Sequence, residues 1–262
     1  MQVLQSSLPF APWVDPRHRR LPGIQPLDPK KWLLVDDAFA GQMAERDRLI
    51  GTRPDAVHAL DPAALPAAHE LLHRVVQVEI ARLPGYRRGK GQVTRPDGVR
   101  VPIDPDAPLL TLGRLVQEDF CILERRGDEH VMSGAILCFP ASWRLDEKFL
   151  RPLTAIHAPV AVYDANIAAR VQRLFDAIRP EQPLWRANVL AYADPELHQP
   201  RSESDRRHKP QGAPDYVRSE RQCLLRLPET RAVIFSIHSC VVRRESLDPQ
   251  QRAALEAMTA QG

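Results

Sequence analysis

Cysteine and lysine are the scarce residues of this sequence. Its 262 residues hold four cysteines, Cys121, Cys138, Cys223 and Cys240, set apart inside apolar stretches and never paired as C-x-x-C. That spacing argues against a zinc ribbon or an iron–sulfur cluster and suits buried, reduced thiols that pack as small hydrophobes. A G-x-G-x-x-G turn is also missing, so a dinucleotide fold is not expected. Apolar runs are too short to span a bilayer, and residues 1–16 show no basic stretch leading into an apolar one. The chain is therefore expected to be cytoplasmic, with no membrane contact. Of 36 basic residues only Lys30, Lys31, Lys90, Lys148 and Lys209 are lysine, and the net charge of +3 is too small to argue for nucleic acid.

Hydrophobic residues make up 44% and charged residues 26%, the balance of a chain that builds a core. One domain is expected over residues 1–262, with an N-terminal extension (1–110) and a C-terminal helix (248–260). Six prolines in the first thirty residues forbid regular helix and predict an extended arm, pinned by Trp13 and Trp32. Helices are predicted over 37–50 and 67–83, the second carrying Leu71, Leu72, Val75, Val76, Ile80 and Leu83 on one stripe. Residues 87–108 read as turn-rich loop.

From Asp119 the period changes to two. Strands over 119–124 and 131–139 form a hairpin, an amphipathic helix follows over 164–178, and further strands are predicted over 184–192, 222–227 and 232–242. Two strands, a helical middle and three strands is the element order of a PAS domain. The expected fold class is α+β, a PAS-like five-stranded antiparallel sheet whose helices wall a ligand pocket, preceded by the arm and helices.

Two histidine settings invite chemistry. His69-Glu70-Leu71-Leu72-His73 matches H-E-x-x-H, the pattern that puts two zinc-binding imidazoles and a general base on one helix face. No third ligand stands at the usual distance, so a zinc hydrolase is the lesser reading, and the histidines otherwise sit at a solvent edge. His157, in Ile156-His157-Ala158-Pro159-Val160, has apolar neighbours on both sides and opens the helical segment beside the pocket. A neutral imidazole there suits an axial iron ligand, or else a satisfied core residue.

Read in order, Leu8-Pro9-Phe10, Val116-Gln117-Glu118-Asp119-Phe120, Cys138-Phe139-Pro140-Ala141-Ser142-Trp143, Lys148, Ile156-His157-Ala158-Pro159-Val160, Arg186-Ala187-Asn188, Arg218-Ser219-Glu220-Arg221-Gln222 and Leu225-Arg226-Leu227-Pro228 form collinear blocks over nearly the whole chain. Together they resemble the haem-dependent oxidative N-demethylase alpha-subunit-like proteins. That resemblance implies haem b in a PAS-like pocket, and dioxygen chemistry that oxidises a small secondary or tertiary N-methylated amine and releases formaldehyde. It also implies electrons from a separate reductase subunit carrying flavin and an iron–sulfur centre. A haem or redox sensor without catalysis is the alternative.

On this reading His157 is the iron ligand. Arg226, Arg186, Lys148 and Trp143 are expected around the cofactor, and Arg221, Glu220 and Asn188 are expected to be catalytic, with strand alternation placing Glu220 and Arg221 on opposite faces. Glu118 and Asp119 read first as a charge pair at a strand start, and otherwise as an acid near the substrate amine. The chain departs from the family pattern at Val189, where tryptophan is usual, and at Ala161, where a second proline is usual. If residue 189 lines the pocket, valine there enlarges it.

Overall fold

The computed structural model describes residues 3–15, 23–158, 165–205 and 214–259. Ala161 and the Pro159-Val160 pair lie outside these residues, as do Asp164 and Ala260 at the ends of two expected helices. In chain order the elements are β1 (Gln25–Pro26), α1 (Phe39–Thr52), α2 (Pro54–Val57), β2 (His58–Leu60), α3 (Leu65–Arg74), β3 (Arg87–Gly89), β4 (Gln92–Thr94), β5 (Arg100–Pro102) and α4 (Pro108–Leu115). They continue with β6 (Asp119–Arg126), β7 (Glu129–Ile136), α5 (Leu153–His157), α6 (Ala165–Ala177), β8 (Leu184–Tyr192), β9 (Tyr216–Arg226), β10 (Val233–Arg243) and α7 (Pro249–Thr259). No helix among the described residues is long and apolar enough to cross a membrane.

The main sheet is antiparallel, in the order β1-β8-β9-β10-β6-β7-β2. The five strands read from the sequence form its contiguous middle. Seven strands stand where five were expected, because the N-terminal region adds a short strand to each edge: β1 pairs with β8, and β2 pairs with β7. Pro26, which has no N–H to give, is tolerated at such an edge. Strand β9 starts at Tyr216, well before the expected 222, since Arg218 and Glu220 are buried in it and break the apolar signal.

Residues 87–108 also hold more order than their turn composition suggests. Strands β3 to β5 form a separate three-stranded sheet, each strand three residues long and too short to show a period. Helix α4 follows at once. The helix expected over 67–83 changes pitch at Val75, passing through a π turn (Val75–Glu79) and a 3-10 turn (Ile80–Arg82). Glu79 is left buried there, between Arg74 at 3.3 Å and Arg82 at 3.7 Å.

Each sheet face has its own apolar layer. One packs α1, α3 and α4 on Phe120, Ile122, Ile136, Leu225 and Ile234. The other packs Leu153 of α5 and Phe175 of α6 on Cys121, Leu123, Leu224, Val233 and Ile237. A third cluster joins Leu8 and Trp13 of the N-terminal arm to Val217, Val242 and Leu255 of α7. Trp13 donates from its indole to the Gln251 carbonyl at 2.7 Å and Trp32 to the Ser236 hydroxyl at 2.9 Å, so both tryptophans do anchor the segment before α1. All four cysteines are free and buried. Burial pushes the thiols up, to about 12 at Cys138 and about 11 at Cys223, and this keeps them unreactive.

Candidate functional site

His157 ends α5 on the sheet face covered by α5 and α6. Its Nδ1 lies 2.8 Å from the Leu153 carbonyl. A carbonyl only accepts, so Nδ1 carries the proton and the neutral ring holds its lone pair on Nε2. Burial pushes the His157 pKa below the usual histidine value, and the nearby charges of Lys148 and Arg186 push it the same way against the carbonyl's pull. The ring is neutral at pH 7. Lys148, almost fully buried, donates to the Ile156 carbonyl at 2.7 Å and to Glu203 at 2.5 Å. Trp143 packs in the same apolar layer as Leu153 and Ile156.

Register places the other residues of this face. Arg186 pairs across from Gln222, and Asn188 from Glu220. Residues directly opposite share a face, and Gln222 is in turn opposite Ile237, a member of the α5–α6 layer. Arg186, Asn188, Glu220 and Gln222 therefore point toward the side that carries His157. The Glu220 carboxylate accepts from Arg218 (3.2 Å), Asn188 (3.0 Å) and Gln222 (3.2 Å), while the Glu220 amide donates back to the Asn188 side-chain oxygen at 3.0 Å. Arg218 is itself held by the Leu197 and Phe139 carbonyls and the Ser239 hydroxyl. This network is rigid and well satisfied. Arg186 is different: its Nε is buried and has no hydrogen-bond partner among the described residues. Burial lowers its pKa, with Glu220 opposing.

Two expected site arginines are not brought to His157. Arg221 projects from the opposite face, donates to the Trp32 (3.1 Å) and Lys31 (2.5 Å) carbonyls and stacks 5.6 Å from the Trp185 ring centroid. Its guanidinium fastens the segment before α1 to the sheet. Arg226 shares the His157 face but lies at its far end, donating to the Phe175 and Ile178 carbonyls and to Arg231. There it satisfies the carbonyls that end α6, as a cation at a helix C-terminus should. Val189 faces away as well, packing with the cluster of Leu8 and Trp13, so it does not line the His157 side. A residue adjacent to Asn188 in a strand must take the other face.

The zinc pattern disperses. His69 and His73 are exposed, and His69 donates to the Pro105 carbonyl at 2.7 Å. Glu70 instead holds the β9–β10 turn, accepting from the Glu229 and Thr230 amides, both at 2.8 Å, and from the Thr230 hydroxyl at 2.6 Å. That role needs no metal.

A denser polar cluster sits behind the sheet, where Asp36, His238 and Cys240 approach to metal-ligand spacing. His238 and Asp36 are already committed there, while Oε2 of the neighbouring Glu118 is buried without a hydrogen-bond partner among the described residues. His238 contacts Glu118 through Nδ1 (3.1 Å) and Asp36 through Nε2 (3.0 Å), and Asp36 also accepts from Gln5 and Gln117 at 2.8 Å. It is an imidazolium strut tying residue 36 to β10 and to Glu118, the residue before β6. Burial alone would lower the His238 pKa, but bonds to Asp36, Cys240 and Glu118 hold it well above 6.5. Burial likewise opposes ionisation of Asp36, yet His238, Gln117 and Gln5 pull it from 3.8 to about 2.

Both shifts link to stability. The Asp36 contribution is complete above about 3.8 and is lost as pH falls toward 2. The His238 contribution is complete below 6.5 and is lost as pH rises through its raised folded value. Urea midpoints of the parent protein should therefore fall at both ends of the range. In His238→Gln the loss on the alkaline side should disappear, and an unchanged alkaline limb would disprove the strut.

Reasoning from sequence alone missed Glu203 and Arg46. Glu203 lies in a polar loop with no pattern, but Arg46 left a signal: a lone charge on the apolar stripe of α1, fully buried. The family described as haem-dependent oxidative N-demethylase, alpha subunit-like, matches residues 23–260. With nearly the whole sequence inside that match, the chain belongs to the haem-dependent oxidative N-demethylase alpha subunit-like family.

Proposed function

We propose that this chain is the haem-bearing subunit of a cytoplasmic oxidative N-demethylase acting on a small secondary or tertiary amine. The observation that carries the reading is His157: a neutral, largely buried imidazole whose Nδ1–H is held by a backbone carbonyl is arranged as axial histidines are. The order of the five long strands supports a PAS-like pocket, with consecutive strands of the expected set lying 3-4-5-1-2 across the sheet. An apolar layer drawing residues from Leu27 to Val241 supports one domain.

The residues present fit haem b. His157 would hold the iron, and Trp143, Lys148 and Arg186 would surround the macrocycle. The buried Arg186 Nε, which has no hydrogen-bond partner among the described residues, suits an anionic propionate. Bound haem supplies activation of dioxygen with two electrons from a separate flavin and iron–sulfur reductase. The balance is one N-methylamine, one dioxygen, two electrons and two protons giving the demethylated amine, formaldehyde and water.

The chain's own part is placement. Asn188 and Glu220, locked by Arg218 and Gln222, offer a fixed polar edge toward the amine. The apolar layer of Leu153, Phe175 and Leu224 excludes water from the same side. Arg221 and Arg226 are accounted for by the carbonyls they bind, and the reading gives neither a contact with substrate.

The test is formaldehyde release from a series of N-methylamines by the haem-loaded protein with a chemical reductant and dioxygen. Formaldehyde in proportion to amine lost is expected. Haem present and reduced, with no formaldehyde from any amine, would overturn the enzyme reading in favour of a sensor.

A further inference from the structure

Between the strands and α5 runs a chain of contacts that ends one residue before His157. The loop at 199–205 is fastened to the segment at 140–148 by a short run of hydrogen bonds. Ser142 N donates to the Gln199 carbonyl (3.0 Å) and Gln199 N to the Pro140 carbonyl (3.2 Å). Glu147 accepts from the Ser202 hydroxyl (2.7 Å) and from the Glu203 amide (3.0 Å). Glu203, held in this way, meets Lys148 at 2.5 Å, and Lys148 in turn meets the Ile156 carbonyl at 2.7 Å. That carbonyl belongs to the last turn of a five-residue helix, where backbone acceptors lack intrahelical donors.

We propose that Lys148 and Glu203 form a positioning strut that fixes the helix bearing His157 and sets the charge beside that ring. The proposal rests on the reading of His157 as the iron ligand, and it assigns a role to Glu203 that the sequence did not suggest. Three features distinguish the pair from a surface ion pair. Lys148 is almost fully buried, so its charge is poorly screened. It bridges two separate segments. Its carbonyl partner is also covalently adjacent to His157.

The two members of the strut carry opposite charge, which makes the proposal separable from a merely structural role. A cation near an iron centre disfavours the ferric state, and an anion favours it. Lys148→Met should lower the reduction potential of the haem protein, and Glu203→Gln should raise it. The double variant should return close to the parent value. A purely structural contact would shift both single variants in the same direction or neither, and either result overturns the proposal. Hydrogen exchange over residues 153–158 is the second measurement, and it does not need haem. Faster exchange in both single variants supports the strut, and exchange equal to the parent overturns it. If the parent protein purifies without haem and does not take it up, the demethylase reading fails while the exchange result still decides the strut.

Discussion

His157→Ala should purify folded and nearly free of haem. The substitution deletes the one coordinate bond that the family reading requires but leaves the apolar layer around it, so structure and cofactor should separate. Loss of an outer hydrogen-bond partner alone costs a metal site roughly 10–100-fold in affinity, and loss of the ligand itself should cost at least that. The measurements are haem per chain from the Soret band and near-ultraviolet circular dichroism for the fold. Added imidazole should restore part of the haem by occupying the space the ring leaves. His69→Ala and His73→Ala serve as controls, because both side chains are exposed and remote from α5 in their contacts. Full haem with an unchanged spectrum in His157→Ala would remove His157 from the iron.

Most of the sheet was legible because its strands alternate or run apolar over eight residues or more. Strands β6, β7, β8 and β10 start within a residue or two of where the period places them. The hidden pieces have two causes: residues ordered by contacts distant in sequence, and elements too short to show a period. Arg218 and Glu220 look like loop residues until their pairing across β8 and β9 is known. Strands β3 to β5 hold three residues each, and α4 is an eight-residue helix too short to announce a stripe.

The site was legible in part for the same reason. Local pattern offered His157 as an axial ligand or a core residue, and the family resemblance made it the expected iron ligand. Alternation separated Glu220 from Arg221 and, extended one strand back, separates Asn188 from Val189. What alternation does not say is which face meets the helix of His157. That is decided by α5 and α6 lying across one side and α1, α3 and α4 across the other. A guanidinium is also an ambiguous sign: Arg221 and Arg226 spend their donors on backbone carbonyls, a use that no sequence motif marks.

Replacing Arg46 should be the most damaging change outside the candidate site. The guanidinium is fully buried at the mouth of β6 and donates to the Gly113 (2.8 Å), Gln117 (3.2 Å) and Glu118 (2.9 Å) carbonyls and to the Asp119 carboxylate (2.7 Å). Asp119 passes the constraint on by accepting from the Cys138 (2.7 Å) and Phe139 (2.8 Å) amides where β7 ends. One arginine thus fixes the exit of α4 and, through Asp119, the opening and closing of the β6–β7 hairpin. Arg46→Met keeps the volume but strands a buried carboxylate and three carbonyls, which should cost about 3–5 kcal/mol in urea unfolding. Arg46→Lys should recover little, because one ammonium does not reproduce a planar fork aimed at four acceptors. Adding Asp119→Asn to Arg46→Met should return part of the loss by removing the stranded charge, and the cycle then measures their coupling. Arg46 sits on α1, across the sheet from the α5–α6 layer, so haem per folded chain should stay near the parent value while the unfolding midpoint drops. A destabilisation under about 1 kcal/mol, the range of exposed ion pairs, would mean that the contacts around Arg46 are not those of the folded protein in solution.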